Sequence, residues 1–426
     1  MSPAPRSAVD AALTLAFREE WGRVVATLIR LTGDWTIAEE SAQEAFATAS
    51  STWQRDGVPE RPGAWLTTTA RNRALDRLRR ASTERRVLRE VVAGADETVA
   101  SPAEDWSGTR LEDERLRLIF TCAHPAIALE SRVALTLRTL CGLTIGEIAR
   151  AFGVSEAAMT KRLVRTRAKI KNARIPYRVP PDHALPERLG GVLAVLYLLY
   201  SEGYAASAGE ALLREQVSAE AIRLTRLLAD HMPDEPEVLG LLALELLHDA
   251  RRAARVDDDG RLVTLEDQDR SRWDASQIAE GIEVLDAARR RAGIRGYYRV
   301  QAAIAALHAT APSADATDWE QITLLYDELA RIAPSPYVEL NSAIALAMAS
   351  GPDVGLERLD ALAASGALDG YHLLPATQAD LLRRAGRPAA AAAAYRAALA
   401  LVVNDTERDY LARRLAEVAD APPGGS

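Results

Sequence analysis

The sequence predicts an all-α protein, with two small helical domains ahead of a large helical C-terminal domain. Three observations carry this. Ala, Leu and Arg, strong helix formers, abound. The Val-Ile-Thr alternation that marks strands is almost absent. The 426 residues are 48% hydrophobic and 26% charged, a globular composition too long for one ordinary domain.

Residues 8–90 read as a compact helical domain. Residues 91–110 read as a linker, with Gly94, Pro102 and Gly108 among the acids Asp96, Glu97, Glu104 and Asp105. Residues 111–175 form a second small helical domain. The stretch Ile175–Pro186 holds four prolines, which end a helix. From 185 to 420 the chain is Ala/Leu-rich and helical. Its longest apolar run, Leu189–Tyr200, is twelve residues, too short to span a bilayer, and reads as a buried helix.

Met1–Asp10 lacks the basic start and apolar stretch of a signal peptide. Cys122 and Cys141 form no CxxC pattern, so no disulfide framework is expected and a cytoplasmic, reducing location fits. Cys122 and His124 alone are too few ligands for a metal site. No metal, cofactor or membrane partner is expected.

Charge is unevenly distributed. The chain carries −8 overall, yet Arg61–Arg89 holds nine Arg against Asp76 and Glu84, and Ala157–Arg178 holds eight Lys or Arg and no acid. Two basic islands in an otherwise acidic protein look like two electrostatic footprints on nucleic acid.

The second island sits in a helix-turn-helix over Thr144–Lys171. Thr144 and Glu147 are spaced as a capping box. Ile145, Ile148, Ala149 and Phe152 make one apolar face. Gly153 supplies the turn and Ser155 an N-cap, with Glu156 at the positive end of the next helix. In that helix Met159, Leu163, Thr166 and Ile170 form the buried stripe. Ala158, Lys161, Arg162, Arg165 and Lys169 form a mostly basic stripe elsewhere, suited to the major groove. A helix-turn-helix alone does not say which kind of DNA-binding protein this is.

Two earlier segments narrow the choice. Gly33-Asp34-Trp35-Thr36-Ile37-Ala38-Glu39-Glu40-Ser41-Ala42-Gln43-Glu44-Ala45-Phe46 resembles the acidic helix of sigma factor region 2. The run from Arg61 through Trp65, Arg71, Asn72, Arg73 and Arg77 to Arg80 resembles the Arg-rich helix of the same region. Gly153-Val154-Ser155-Glu156 with Lys161-Arg162-Leu163-Val164-Arg165-Thr166-Arg167 resembles region 4. All three occur in order at the usual spacing, so residues 8–175 resemble the extracytoplasmic-function (ECF) sigma factors of the sigma-70 family.

The resemblance implies a protein without covalent chemistry, whose partners are core RNA polymerase, through its β′ and β subunits, and promoter DNA. It assigns polymerase docking, on a coiled coil of β′, to Asp34, Glu39, Glu40, Gln43, Glu44 and Phe46. On residue pattern alone, the helix over 34–46 projects Glu39, Glu40, Gln43 and Glu44 on a polar face beside buried Ala42, Ala45 and Phe46. The resemblance assigns the −10 element to Trp65, Arg71, Asn72, Arg73, Arg77, Arg79 and Arg80, with a base pocket in the loop Gln54–Ala64. That loop is poorer in aromatics than in many relatives. Recognition of −35 falls to Ser155, Glu156, Ala158, Thr160, Lys161, Arg162, Arg165, Arg167 and Lys169. The acidic linker would thread toward the polymerase active-site channel; a flexible tether is the equal alternative.

A minimal sigma factor of this kind would stop near residue 175. Here Tyr337 and Tyr371 lie 34 residues apart. The second opens a stretch with Ala379, Gly386, Tyr395 and Leu399 that resembles a tetratricopeptide repeat (TPR). A non-repeating helical domain is the alternative. The segments Tyr197–Tyr204, Leu246–Arg255 and Leu265–Trp273 resemble the extended sigma subgroup with a TPR-like C-terminal domain, in which the extension replaces a separate anti-sigma regulator. It would then answer to a protein or a small molecule. Asp249, Arg251, Arg252, Glu266, Asp267, Asp269 and Arg270 are candidates for a buried ion-pair network or a ligand site. His248 beside these acids lacks the pattern of a catalytic site. The competing function is an ordinary helix-turn-helix regulator with a TPR-like sensing domain.

Overall fold

The computed structural model describes residues 6–92, 108–152, 154–181, 184–204, 211–291, 293, 295–403 and 405–419. Among them there are helices and loops and no strand, only an isolated bridge between Val256 and Leu262. The all-α expectation holds. No helix of the described residues is long and apolar enough to cross a membrane. Most of the acidic linker, with all four of its singled-out carboxylates, lies outside the described residues, as does Gly153. The chain divides into two compact units between Leu199 and Tyr200.

The first unit opens with α1 (Arg6–Thr32), α2 (Trp35–Asp56) and α3 (Pro62–Val92). Asp34 caps α2, its Oδ1 accepting from the amides of Thr36 (2.8 Å) and Ile37 (3.1 Å). The buried face of α2 carries Ala38, Ala42, Ala45 and Ala49, ending in Trp53. This small-residue stripe lets α1 and α3 approach closely, and they fill the space with Trp21, Val25, Leu28, Leu66 and Ala70. Trp53 meets Trp65 edge to face, with centroids 5.7 Å apart.

The unit continues with α4 (Gly108–Cys122), α5 (Leu129–Thr139), α6 (Ile145–Ala151), α7 (Glu156–Asn172) and the start of α8 (Leu185–Tyr204). These helices pack directly on the first three. A Cβ on Gly22 would lie 2.9 Å from the Leu140 carbonyl oxygen, and one on Gly142 (φ +74°) 2.7 Å from the Phe17 ring. Arg30 pairs with Glu114 at 2.9 Å, and the Tyr177 hydroxyl donates to the Ala26 carbonyl at 3.0 Å. On the other side Arg188 of α8 donates to the Phe120 carbonyl at 2.8 Å.

The second unit is built on α9 (Ala211–His231), α10 (Pro236–Asp249), α11 (Ala275–Arg290) and α12 (Tyr297–Thr310). Helix α10 is buried at every position from Val238 to Leu247, so it must be covered by neighbours on all sides. Gly240 lets the α12 backbone in: a Cβ there would stand 2.7 Å from the Arg299 amide nitrogen. Glu237 caps α12 by accepting from Tyr298 N (2.8 Å) and Arg299 N (3.3 Å). Beyond lie α13 (Trp319–Ile332), α14 (Pro336–Ser350), α15 (Pro352–Ala364), α16 (Leu373–Arg384), α17 (Pro388–Leu401) and α18 (Asp405–Ala419), each packed chiefly on its neighbours in the chain.

The charged residues expected to form one network in this unit are dispersed. Asp249 pairs with Arg252 and accepts from Gln277. Glu266 pairs with Arg384, Asp267 accepts from the Thr264 hydroxyl at 2.6 Å, and Asp269 caps a short 3-10 turn. Arg270 stacks on Trp273 at 4.4 Å and donates to the carbonyls of His308 (2.9 Å) and Ala311 (2.7 Å). Arg251 lies over the same ring at 5.9 Å. Burial, then Arg251 and Arg270, push the His308 imidazole down to about 4.

Two outcomes follow. Gly240→Ala should destabilise the second unit by about 1–3 kcal/mol through overpacking, read as a lower urea midpoint. For His308, the unfolded chain takes up a proton near pH 6.5 while the folded one resists until about 4, so stability should fall as pH drops through that window and level off below it. His308→Gln should flatten that part of the stability–pH curve measured by chemical denaturation.

Candidate nucleic-acid interface

The helix-turn-helix forms as its caps require. The Thr144 hydroxyl accepts from the Glu147 amide at 3.2 Å, and the Glu147 carboxylate accepts from the Thr144 amide at 2.6 Å, closing the capping box. The Val154 amide donates to the Ala149 carbonyl at 2.9 Å across the turn. Ser155 caps α7 by accepting from the Ala158 amide at 3.3 Å. Met159, Leu163, Thr166 and Ile170 are the buried residues of α7.

Around that stripe, Ser155, Glu156, Ala158, Thr160, Lys161, Arg165 and Lys169 are exposed. Arg162 is held in place: it pairs with Glu130 at 3.1 Å, and its guanidinium lies 5.4 Å from the Phe152 ring centroid. Arg167 points away from the exposed cations, toward α2.

On α3, Asn72, Arg73, Arg79 and Arg80 are exposed. Asp76 accepts from Arg79 at 3.5 Å. Trp65 is half-buried against Trp53. Arg71 is half-buried as well. Arg77 reaches back to α2, where it pairs with Glu40 and, at 2.5 Å, with Glu44. Its guanidinium is raised above the usual arginine range, first by the Glu44 hydrogen bond.

The largest departure concerns α2. Asp34, Glu40 and Gln43 are exposed, Glu44 is half-exposed, and Phe46 is half-buried against Phe17 (5.1 Å) and Trp21 (6.0 Å). Glu39, expected on the projecting polar face, is only 4% exposed. The second half of the unit covers it. Arg138 Nε donates to its Oε2 at 2.9 Å, and Arg167 Nη2 to its Oε1 at 2.5 Å. Arg138, itself 9% exposed, also donates to the Leu143 carbonyl at 2.8 Å. Burial, then the nearby Glu39 carboxylate, push the Cys122 thiol far up, so it is an inert interior group.

Beside this clamp runs a cleft of about 190 Å³. Thr36, Glu39, Glu40 and Gln43 of α2 line one side; Arg138, Ile145, Thr160, Leu163, Val164 and Arg167 line the other. Arg138 was not singled out from the sequence. Its signal was faint: a lone cation among Val133–Thr139, every one of which is buried. No cluster of metal-ligating side chains occurs among the described residues.

Family models match three stretches of the chain: sigma-70 region 2 over residues 17–84, sigma-70 region 4 over residues 117–170, and a family of unknown function (DUF6596) over residues 188–289. Most of α3 falls inside the first, and all but the last two residues of α7 inside the second. The chain belongs to the ECF-type sigma factors of the sigma-70 family. Its C-terminal extension carries the DUF6596 domain.

This sigma factor is 40% identical to the uncharacterized protein R00370 of Rhizobium meliloti (strain 1021), over 97% of its own length and 96% of that protein's. It is 35% identical to the probable RNA polymerase sigma factor RfaY of Xanthomonas campestris pv. campestris, over 35% of this chain and 37% of RfaY. It is 28% identical to the probable ECF RNA polymerase sigma factor SigI of Mycobacterium tuberculosis, over 40% of this chain and 58% of SigI. No solved structure matches the chain.

The capping box gives a local test of the helix-turn-helix. Thr144→Ala should cost about 1 kcal/mol of stability, measured by chemical denaturation, while Thr144→Ser should recover most of it.

Proposed function

We propose that this sigma factor binds core RNA polymerase and directs promoter-specific initiation by reading −10 and −35 elements. In this reading residues 8–90 act as region 2, 91–110 as the linker, 111–175 as region 4, and 185–420 as a helical TPR-like regulatory extension. The protein works in the cytoplasm and performs no covalent chemistry. It positions the polymerase and captures melted DNA.

One observation carries the DNA side of the reading. A capped helix-turn-helix presents Lys161, Arg165 and Lys169 to solvent, in the same compact unit as an α3 that presents Asn72, Arg73, Arg79 and Arg80. Cations at these positions neutralise phosphates and read base edges. Region 4 would meet −35 through Ser155, Glu156, Ala158, Thr160, Lys161, Arg162, Arg165, Arg167 and Lys169. Region 2 would meet −10 through α3 and the loop before it. Asp34, Glu39, Glu40, Gln43, Glu44 and Phe46 would dock on β′, with β as the further contact.

The TPR-like reading of the extension rests on a 34-residue spacing that recurs in contacts. Tyr337 and Tyr371 meet edge to face at 5.2 Å, and Arg387 pairs with Asp353 at 2.6 Å. Such stacked helices offer a surface for a protein or small-molecule regulator.

Transcription with purified core enzyme tests the proposal. The wild-type chain should direct start sites that share an upstream motif pair. Arg165→Ala should lower transcription from −35-dependent promoters about tenfold or more, in line with a lost base or phosphate contact. Core binding with no shared motif would sink the promoter assignment. DNA binding without core binding would favour the ordinary regulator.

A further inference from the structure

We infer that the second unit carries a phosphate-binding site where Arg251, Arg270 and the Trp273 indole converge, and that its ligand is a small molecule bearing a phosphate group. The site deepens the proposed regulatory role of the extension; its consequence for transcription rests on that reading, while binding itself does not.

Three positions build the site. Arg251 follows the end of α10, and Arg270 and Trp273 bracket the 3-10 turn ahead of α11. All three fall inside the DUF6596 stretch. The two guanidinium carbons lie 5.9 and 4.4 Å from the Trp273 ring centroid. Stacking on an aromatic ring explains how each cation is held. It does not explain why two like charges are gathered on one ring.

The charge here is uncompensated. Elsewhere in the unit arginines meet carboxylates: Arg226 with Glu280, Arg291 with Asp234, Arg384 with Asp380 and Glu266. The acid closest to Arg251 in the chain, Asp249, is taken by Arg252 and Gln277. Among the described residues the Arg251 guanidinium makes no ion pair and no hydrogen bond. Arg270 spends Nη1 on the carbonyls of His308 and Ala311, which leaves its Nε and Nη2 as donors. Trp273 is 7% exposed, and its Nε1 is buried without an acceptor among the described residues. Two neighbours register the excess. Burial, then Arg251, lower the Arg270 guanidinium, and burial, then Arg251 and Arg270, lower the His308 imidazole.

What these donors lack is an acceptor with several oxygens and more than one negative charge. Guanidinium forks match phosphate oxygens two at a time. A phosphate monoester carries roughly −1.5 to −2 charges at neutral pH, enough to offset both arginines. A carboxylate offsets one. Arg251 and Arg270 are half-buried, so solvent reaches their edges and one small group can enter. Holding the two cations together destabilises the unliganded protein, a cost of the kind binding sites carry. The ligand removes it.

Urea denaturation of the full chain, at neutral pH and constant ionic strength, tests the site. The probes are inorganic phosphate, phenyl phosphate, acetate and polyglutamate. Both phosphates should raise the midpoint in proportion to the logarithm of their concentration, and acetate and polyglutamate should not. Phenyl phosphate acting at about tenfold lower concentration identifies an organic phosphomonoester as the ligand; inorganic phosphate acting as well or better identifies the free ion. Arg251→Gln should abolish the increment without lowering the midpoint of the unliganded protein. Arg251→Lys, which keeps the charge and loses the fork, should retain part of the increment.

No increment with either phosphate in the parent overturns the site. So does an increment that survives Arg251→Gln. A midpoint lowered by Arg251→Gln with no change in the phosphate response makes the residue a structural stack. Stabilisation by polyglutamate alone makes the surface a dock for an acidic protein, and the inference falls. Transcription with core enzyme at fixed nucleotide concentration should change about fivefold on adding phenyl phosphate, and Arg251→Gln should remove the response. If phosphate binds as described and transcription does not respond, the site stands and the regulatory reading of the extension is what fails.

Discussion

The first unit is organised around a buried carboxylate. Glu39 sits 4% exposed in a helix whose other acids face water. A charge in that position is tolerable only with cations and hydrogen bonds in place, and losing one partner costs about 3–5 kcal/mol. Its partners come from α5 and α7, so one residue of α2 sets the approach of two helices that lie about a hundred residues further along the chain. Arg138 extends the constraint to the Leu143 carbonyl, just ahead of the helix-turn-helix. The orientation of α7 is in this way tied to α2.

Close backbone contact makes that tie possible. Gly22 meets the Leu140 carbonyl and Gly142 meets the Phe17 and Trp21 rings, so the α5–α6 corner lies almost directly on α1. The alanines of α2 do the same for α1 and α3. The second unit uses the same means for another end: Gly240 admits the α12 backbone against a helix that is buried on every side. There Asp249 pairs with Arg252 and Arg270 donates to carbonyls, and His308 stays neutral at neutral pH between burial and two arginines.

Local chemistry was legible in the sequence. The capping box, the Ser155 cap and the buried stripe of α7 were readable because each depends on residues three or four apart. The helical class was readable from composition, and the break after α7 from its prolines. Glu39 was not. Helical periodicity puts it on a polar face, and only the arrival of Arg138 and Arg167, 99 and 128 residues away, makes that position interior. Arg77's pairing escaped for the same reason, since the resemblance assigns it to DNA while its partners in the structure are Glu40 and Glu44. The ion-pair network expected around Asp249 and Arg270 forms only in part: Asp249 pairs with Arg252, while Glu266 pairs with Arg384 and Arg270 donates to the carbonyls at the end of α12, because closeness in sequence is not closeness in space.

Shared use of residues complicates any single-site reading of this protein. Arg167 is grouped by the resemblance with the −35 contacts, yet in this structure it pairs with Glu39. Its removal therefore bares part of a buried carboxylate and, under the proposed function, removes a DNA contact at once. A loss of transcription on removing Arg167 alone does not say which of the two caused it. Arg138 has no assigned DNA role, so its replacement separates the terms. Arg165 and Lys169 are exposed and belong neither to the clamp nor to the lining of the cleft beside it, so under the proposed function they report on DNA alone. Coupling between Arg138 and Arg165 variants is therefore the informative quantity: additive effects mean that the clamp and α7's outer face act independently, and non-additive ones mean that the buried carboxylate sets how α7 is presented.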